Sequence, residues 1–315
     1  MPGKRIIVVP DMRIGKPTLS KVTVGVALVG FLAGSAQAAP VPVDEMGARS
    51  LGRGGVGRAD GADVSGEELN LASVSLVPAY SVYGGAELGP DARFLARSGA
   101  VDSRTSPVAL GAGYRWRVDD VPPTGADLPG WAPVADDALG NPTSAHRVHL
   151  GAALPFLERR LSLAVHTRFD WWDAELSGKG TAFNFGFSVA GRPLPSLTVA
   201  AAARNLLTTS DTRTTREVDL GLRFDPGPYL GIEADVVAPI ADGLDIETFA
   251  WRAGADISAT TWLAVRGGWS MEAGAHNAHA GIGLVSDKAT LDYGIKVRLD
   301  APERNWHALD LRVNF

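Results

Sequence analysis

The feature that most constrains the fold is an alternation of apolar and polar residues that recurs along most of the chain. Residues 291–299 place apolar side chains at every second position, with Asp292, Lys296 and Arg298 between them. Residues 108–118 show the same pattern. Because side chains in an extended chain alternate between two faces, each such segment predicts a strand with one apolar and one polar face.

Fourteen segments of this kind follow one another, separated by turns rich in Gly, Pro, Asp and Ser. They span residues 74–87, 92–102, 107–118, 146–155, 161–174, 180–190, 196–206, 215–225, 229–240, 246–256, 261–271, 277–286, 288–299 and 304–315. The sequence therefore predicts an all-β protein. A soluble sandwich with its apolar face inward and a membrane barrel with that face outward both fit the alternation.

The lengths of the connections favour the barrel. If the first strand runs outward, every connection after an even-numbered strand is short, whereas those after odd-numbered strands include the long stretch 119–145. Bacterial outer-membrane barrels have short periplasmic turns and longer external loops, and a sandwich has no such requirement.

The aromatic residues favour the same topology, because membrane barrels concentrate them at the two interfaces between water and lipid. The predicted outer set comprises Trp116, Trp171, Phe183, Phe249, Trp251, Trp269 and Trp306, and the inner set comprises Phe156, Phe224, Tyr229, Trp262 and Phe315. A closed barrel also gives every backbone amide within the membrane a hydrogen-bond partner. Fourteen is an even number, as in the single-chain barrels of bacteria. We therefore predict a transmembrane antiparallel β-barrel of about 14 strands.

The first 38 residues have the pattern of a secretory signal peptide. A basic start is followed by the apolar run 22–32 and an A-x-A site that ends at Ala38. A membrane anchor is the alternative, but the apolar run is short for a spanning helix and small residues follow it at once. We predict cleavage after Ala38 and export to the outer membrane of a bacterium.

Composition excludes several classes of function. Removal of residues 1–38 changes the formal net charge from −5 to −9, which argues against nucleic acid as a partner. The chain contains no cysteine, so it has no disulfide, catalytic thiol or cysteine-ligated metal. No apolar run of about 18 residues follows the signal, which excludes a helical membrane protein.

Residues 46–72, "MGARSLGRGGVGRADGADVSGEELNLA", interrupt the barrel pattern because they show no alternation. Gly52, Gly54 and Gly57 match G-x-G-x-x-G, but no strand precedes them, so a dinucleotide site is not predicted. The segment instead resembles the start of the FadL/PorV-like outer-membrane family, whose mature chains open with G-A-R-x-L-G-x-G-G, an acidic pair and an Asn-Pro-Ala motif. The matching positions are Gly47, Ala48, Arg49, Leu51, Gly52, Gly54, Gly55, Asn70 and Ala72.

The resemblance implies a division of the mature chain into two parts. Residues 39–73 would form a hatch inside a barrel of residues 74–315, and the protein would admit small hydrophobic or amphipathic molecules such as long-chain fatty acids. Leu71 replaces the proline of the motif, and the acidic pair is separated into Asp60 and Asp63. A shuttle or scaffold for protein secretion, as in the PorV branch, is the alternative function.

Charged residues on the predicted inward faces are candidates for a lumenal site. A basic wall near the outer mouth comprises Arg115, Arg117, Arg147, His149, His166 and Arg168, and an acidic group opposite it comprises Glu217, Asp219, Glu233 and Asp235. One interpretation is an ion-pair network that braces the barrel and hatch. The other is that the basic wall attracts a carboxylate headgroup by electrostatic focusing.

The sequence contains no nucleophile elbow, so we predict a protein that is not an enzyme, with a barrel-embedded hydrolase as the second alternative function. His276 and His279 face opposite sides of a strand and form a poor metal pair, so no metal or other cofactor is predicted. Membrane lipid and a hydrophobic small molecule are the predicted partners of a monomer.

The last strand provides one further prediction. Its apolar face ends at Phe315, and we expect this strand to pair with the first one and leave no free edge. A terminal aromatic residue also resembles the signal that the barrel-assembly machinery reads, so that machinery is a predicted partner.

Overall fold

A computed structural model describes residues 46–63, 67–90, 93–118, 142–174, 178–207, 216–240, 246–272 and 274–315. The predicted signal peptide and most of the long outer loop lie outside the described residues. Two helices precede the strands: α1 (Ala48–Gly52) and α2 (Glu67–Ser75). The strands are β1 (Tyr80–Leu88), β2 (Phe94–Asp102), β3 (Ala109–Val118), β4 (Pro142–Phe156), β5 (Leu161–Ala174), β6 (Gly178–Leu194), β7 (Leu197–Arg204), β8 (Glu217–Gly227), β9 (Leu230–Pro239), β10 (Ala250–Ser258), β11 (Leu263–Glu272), β12 (Ala275–Val285), β13 (Ala289–Arg298) and β14 (Asn305–Asn314).

The strands form one closed antiparallel barrel in which each strand pairs with its sequence neighbours and β14 pairs with β1. Ser81 lies opposite Asn314 and Leu88 opposite His307 at this closing seam. Every predicted strand overlaps an observed one. The predicted fold class is therefore confirmed, and the final strand closes the barrel as expected.

The strands have polar inner faces and apolar outer faces. In β8 the side chain of Asp219 is fully buried, whereas Leu220 on the next position is 55% exposed. The last strand follows the same rule, because Asp310 is buried and Leu309 and Leu311 are exposed. An outer surface of exposed leucines suits lipid, so the alternation is that of a membrane barrel.

The aromatic residues largely follow the predicted interfaces, with one error. Trp116 and Trp269 near the outer ends, and Tyr229 and Trp262 near the inner ends, are exposed on the outer face. Trp306, however, is only 6% exposed and packs inside the barrel with α1. The reason is parity, because residue 306 shares the inward face of Asp310 along β14.

The first strand begins later than predicted, at Tyr80 rather than near Val74. Val74 belongs to α2 and packs inside the barrel against Tyr83 and Val101. Neither helix of the described residues is long and apolar enough to cross a membrane.

Phe315 holds the seam of the barrel together at the end that the predicted topology places in the periplasm. Its amide donates a hydrogen bond to the Tyr80 carbonyl (2.9 Å), and its ring lies 5.2 Å from the ring of Tyr80.

Deletion of Phe315 should lower the amount of protein that assembles in the outer membrane, because seam contacts and the predicted assembly signal are lost together. Immunoblots of membrane fractions would measure this, with Phe315→Tyr as the aromatic control; normal levels after the deletion would contradict it.

Candidate functional site

The lumen is occupied by the N-terminal segment that precedes β1. We call residues 46–63 the anchor half and residues 67–79 the plug half. α1 of the anchor half packs against β11, β12, β13 and β14, whereas α2 of the plug half packs against β3, β4, β5, β6 and β7. The two halves therefore contact different walls of the same barrel.

Glycines in the wall form a seat for the anchor half. Inward positions on β10, β11, β12 and β13 are occupied by Gly254, Gly268, Gly281 and Gly294. A Cβ atom at Gly254 would overlap the carbonyl oxygen of Arg53, and one at Gly281 would lie 3.0 Å from the Cα atom of Gly52. The missing side chains thus allow the backbone of the segment to touch the backbone of the wall.

A buried ion-pair network fixes the anchor half to this seat. The Arg53 guanidinium is fully buried and lies 2.8 Å from Asp60 and 3.2 Å from both Glu233 and Asp256. Burial alone would raise the pKa of Asp60, but the guanidinium groups of Arg223, Arg49 and Arg53 outweigh it and hold that pKa well below its usual range.

The predicted acidic group belongs to the same network. Arg58 lies 3.2 Å from both Asp219 and Asp235, while Arg204 contacts Asp219 (2.7 Å) and Glu217 (2.9 Å). The four predicted carboxylates do point inward, but arginines already neutralise them. This arrangement favours the bracing interpretation for that side of the lumen.

The predicted basic wall also faces inward, and its members are paired unequally. Arg115 pairs with Glu68 of the plug half (2.7 Å), whereas Arg147 (2.5 Å) and Arg168 (2.7 Å) share the single carboxylate of Asp170. Arg117, at the outer end of β3, is half-buried. Asp170 thus accepts hydrogen bonds from two arginines of the basic wall.

His149 and His166 lie beside these arginines, with ring centroids 5.9 Å apart. Both are buried, and neither ring nitrogen of His149 has a hydrogen-bond partner among the described residues. Together with Arg168 and Arg204 they line a polar pocket. The remaining lining residues are Glu68, Asn184, Phe185 and Asn205.

This pocket has a volume of about 30 Å³. That volume suits only one or two water molecules, whereas a cavity that binds benzene is about 150 Å³. A hydrocarbon therefore needs a rearrangement of this pocket before it can occupy it.

Below the pocket the inner wall becomes apolar. Leu71 and Leu76 of the plug half belong to one buried cluster with small residues of the neighbouring strands. The wall residues of that cluster are Ala109, Ala153, Ala164, Ala190 and Ala200. The wall from β3 to β7 thus changes from basic near its outer end to apolar near its periplasmic end.

The predicted hatch residues all lie in the lumenal segment, and two of them form hydrogen bonds that fix its backbone. The amide of Ala48 donates a hydrogen bond to Asp310, and Asn70 accepts one from the amide of Ser73 (3.3 Å). Sequence reasoning missed Arg53, Arg58 and the glycine seat. The sequence did contain a signal for the glycine seat, because glycines recur at inward positions of four consecutive strands.

A Ser–His pair bears on the hydrolase alternative. Ser270 lies 3.0 Å from Nε2 of His279, whose Nδ1 lies 2.7 Å from the carbonyl oxygen of Leu51. Ser270 is fully buried, however, and also accepts a hydrogen bond from Asn277. Because substrate cannot reach its hydroxyl, the pair serves to hold the end of α1 against the wall.

Solved structures share this fold. The Ralstonia pickettii toluene transporter TbuX matches with a TM-score of 0.64 at 12% identity, over 87% of this chain and 99% of that chain. The P. putida toluene transporter TodX matches with a TM-score of 0.57 at 11% identity, over 86% and 98%. The CymD monoaromatic hydrocarbon channel matches with a TM-score of 0.56 at 11% identity, over 85% and 97%. No protein-family model and no curated protein matches the sequence.

These similarities confirm the predicted resemblance at the level of the fold. The matched proteins are named as toluene transporters and a monoaromatic hydrocarbon channel, and at 11–12% identity the similarity shows the fold.

Proposed function

We propose that this protein is an outer-membrane channel for the passive uptake of small hydrophobic or amphipathic molecules. The observation that carries the proposal is the gradient along the inner wall of β3–β7, from basic side chains near the outer mouth to alanines near the periplasm. Such a wall suits a molecule with a polar end and an apolar body. The fold shared with hydrocarbon transporters supports the same function.

Uptake by the barrel should be measured directly. Vesicles that contain the purified protein should accumulate a labelled monoaromatic hydrocarbon faster than vesicles without it, while the uptake of a disaccharide stays unchanged. Uptake of the sugar without uptake of the hydrocarbon would indicate a general aqueous pore and contradict the proposal. A scaffold for secreted proteins, the alternative function, should transport neither molecule.

The finer proposal is that the basic wall selects a carboxylate headgroup, as in a long-chain fatty acid. The Nη2 atom of Arg168 is buried without a hydrogen-bond partner among the described residues, so it can donate a charge-assisted hydrogen bond to a carboxylate. Among the described residues the ring nitrogens of His149 have no hydrogen-bond partner, so this side chain can supply a further hydrogen bond. A buried anion needs such charge-assisted partners, because an isolated charge is costly to transfer from water.

Substitution Arg168→Gln tests this selectivity. Uptake of a long-chain fatty acid should fall about tenfold, because a charge-assisted hydrogen bond contributes about 1.5–3 kcal/mol. Uptake of a neutral monoaromatic hydrocarbon should not change. Arg298→Gln is the control, since Arg298 faces inward on β13 and pairs with Asp300 instead. Equal losses for both substrates, or no loss for either, would contradict a headgroup site at Arg168.

A further inference from the structure

Two arginines lie at the periplasmic end of the wall from β3 to β7. Arg160 directly precedes β5, and Arg192 lies near the end of β6. Their positions are opposite each other across the two strands, because Leu161 pairs with Gly191 and the amide of Arg192 donates to the carbonyl oxygen of Arg160 (2.7 Å). The Cβ atoms of residues that are directly opposite are about 4.5–5.5 Å apart. The two side chains therefore start as immediate neighbours.

Both arginines continue the alternation of the inner wall. Ser162 and Ala164 on β5 are buried, and so is Ala190 on β6. Residues 160 and 192 lie two positions further towards the periplasm, so they belong to the same inner face. Arg160 is exposed and Arg192 is half-buried, as expected for side chains at the rim of the lumen.

The pair brings two like charges together without a carboxylate between them. Like charges directly opposite each other on neighbouring strands are destabilising. Deeper in the same wall, Arg204 is matched by Asp219 (2.7 Å) and Glu217 (2.9 Å). Among the described residues, neither Arg160 nor Arg192 forms an ion pair. An anion from outside the chain that contacts both guanidinium groups would offset their repulsion.

The turn between β4 and β5 adds further positive charge. Arg159 precedes Arg160, and its guanidinium donates to two backbone carbonyl oxygens (2.7 and 2.6 Å), which do not neutralise its charge. Glu158 is the one carboxylate of this turn; it is exposed and forms no ion pair among the described residues. Three arginines are thus accompanied by one carboxylate at this part of the rim, in a chain whose formal net charge is −5.

The inner face of β5 therefore has basic groups at both ends. His166 and Arg168 lie in its outer part, Ala164 and Ser162 follow, and Arg160 lies at the periplasmic end. Eight positions separate the two arginines, which corresponds to about 26 Å of extended strand. This separation is close to the length of an extended long-chain fatty acid. A carboxylate at Arg160 would therefore leave its alkyl chain beside the apolar part of the wall.

We propose that Arg160 and Arg192 form a second carboxylate site, which holds an amphipathic molecule at the rim before it enters the periplasm. The carboxylate lies between the two guanidinium groups and offsets their repulsion. The alkyl chain lies along the alanines of the wall. This site rests on the proposed uptake function, although its charge and its occupancy can be tested without transport.

A single cysteine beside the pair measures the charge of the site. The chain contains no cysteine, and Pro193 is exposed next to Arg192. In Pro193→Cys, an anionic methanethiosulfonate reagent should react faster than a cationic reagent of similar size. Addition of Arg160→Gln and Arg192→Gln should lower this ratio of rates about tenfold, because the local concentration of an anion follows the electrostatic potential. An unchanged ratio would overturn the proposal.

The same thiol reports whether a carboxylate occupies the site. Dodecanoate added to Pro193→Cys in detergent should slow the reaction of the thiol with a neutral maleimide, whereas dodecanol, which has the same chain length, should have a much smaller effect. With Arg160→Gln and Arg192→Gln added, the acid and the alcohol should protect equally. Equal protection while both arginines are present would overturn the carboxylate site.

Uptake measurements test whether the site belongs to the transport path. In bacteria that carry Arg160→Gln/Arg192→Gln in their outer membrane, uptake of dodecanoate should fall severalfold and uptake of dodecanol should not change. Lys288→Gln is the control, because it removes an exposed cation from the turn between β12 and β13 and should change neither uptake. Equal losses for the acid and the alcohol, or no loss for either, would overturn the role of the site in transport.

The outcomes separate the second site from the proposed function. If bacteria with the wild-type protein take up neither amphiphile, while dodecanoate still protects Pro193→Cys only when the arginines are present, the uptake function fails and the binding site stands. If the wild type takes up both amphiphiles but the arginines make no difference to protection, the site fails and the uptake function stands.

Discussion

Gly254→Leu should leave the barrel assembled and expel the anchor half from its seat. A side chain at this position overlaps the backbone carbonyl of Arg53, which cannot rotate away as a flexible side chain would. We expect a cost above the about 1–3 kcal/mol that is typical of an overpacked core. The outward apolar face and the strand pairing are unchanged, so the loss should be confined to the lumen.

The expected result is an open pore. Planar-bilayer recordings should show ion conductance that the wild type lacks, and protease added from the periplasmic side should cleave within residues 46–63. Gly227→Leu is the matched control, because nothing lies within 4 Å of a Cβ atom at that glycine of β8. A closed, protease-resistant Gly254→Leu barrel would show that the glycine seat does not hold the segment.

The strands were predictable because their signal is local. Each one alternates with a period of two, and the burial of Asp310 between exposed Leu309 and Leu311 follows from that pattern alone. The misplacement of Trp306 had the opposite cause. A tryptophan is typical of the interface between water and lipid, but residue 306 occupies an inward position on β14. In a strand, the position of a residue determines the face to which its side chain points.

The lumen was predictable only in part. The inward direction of Arg168 and Asp235 follows from alternation, but their partners are distant in sequence: Arg58 reaches Asp235 across 177 positions. A pattern within a short stretch of sequence cannot show an ion pair between residues so far apart. The contrast between the fixed anchor half and the apolar plug half likewise depends on which strands each half meets, and only the closed barrel determines that.

Arg53→Met should destabilise the protein more than removal of any surface ion pair. The variant removes a fully buried guanidinium from Asp60, Glu233 and Asp256, and Arg223, 3.1–3.5 Å from the three carboxylates, is left to neutralise them. Loss of one partner from a buried ion pair costs about 3–5 kcal/mol, and we expect the lower end of that range because Arg223 still neutralises part of the charge. At about 2–4 °C per kcal/mol for a chain of this size, we expect the thermal midpoint to fall by roughly 10 °C.

Two further variants separate charge from packing. Lys179→Met removes an ion pair with Asp173 whose side chains are 83% and 57% exposed, and should change stability by less than about 1 kcal/mol. Glu233→Gln added to Arg53→Met removes one of the three carboxylates that lost the guanidinium while its shape is kept, so it should recover part of the loss. Thermal unfolding in detergent, followed by the electrophoretic shift of folded barrels, would measure all three. If the double variant is no more stable than Arg53→Met, the guanidinium acts by filling space, and the anchor half is held by its glycine seat rather than by charge.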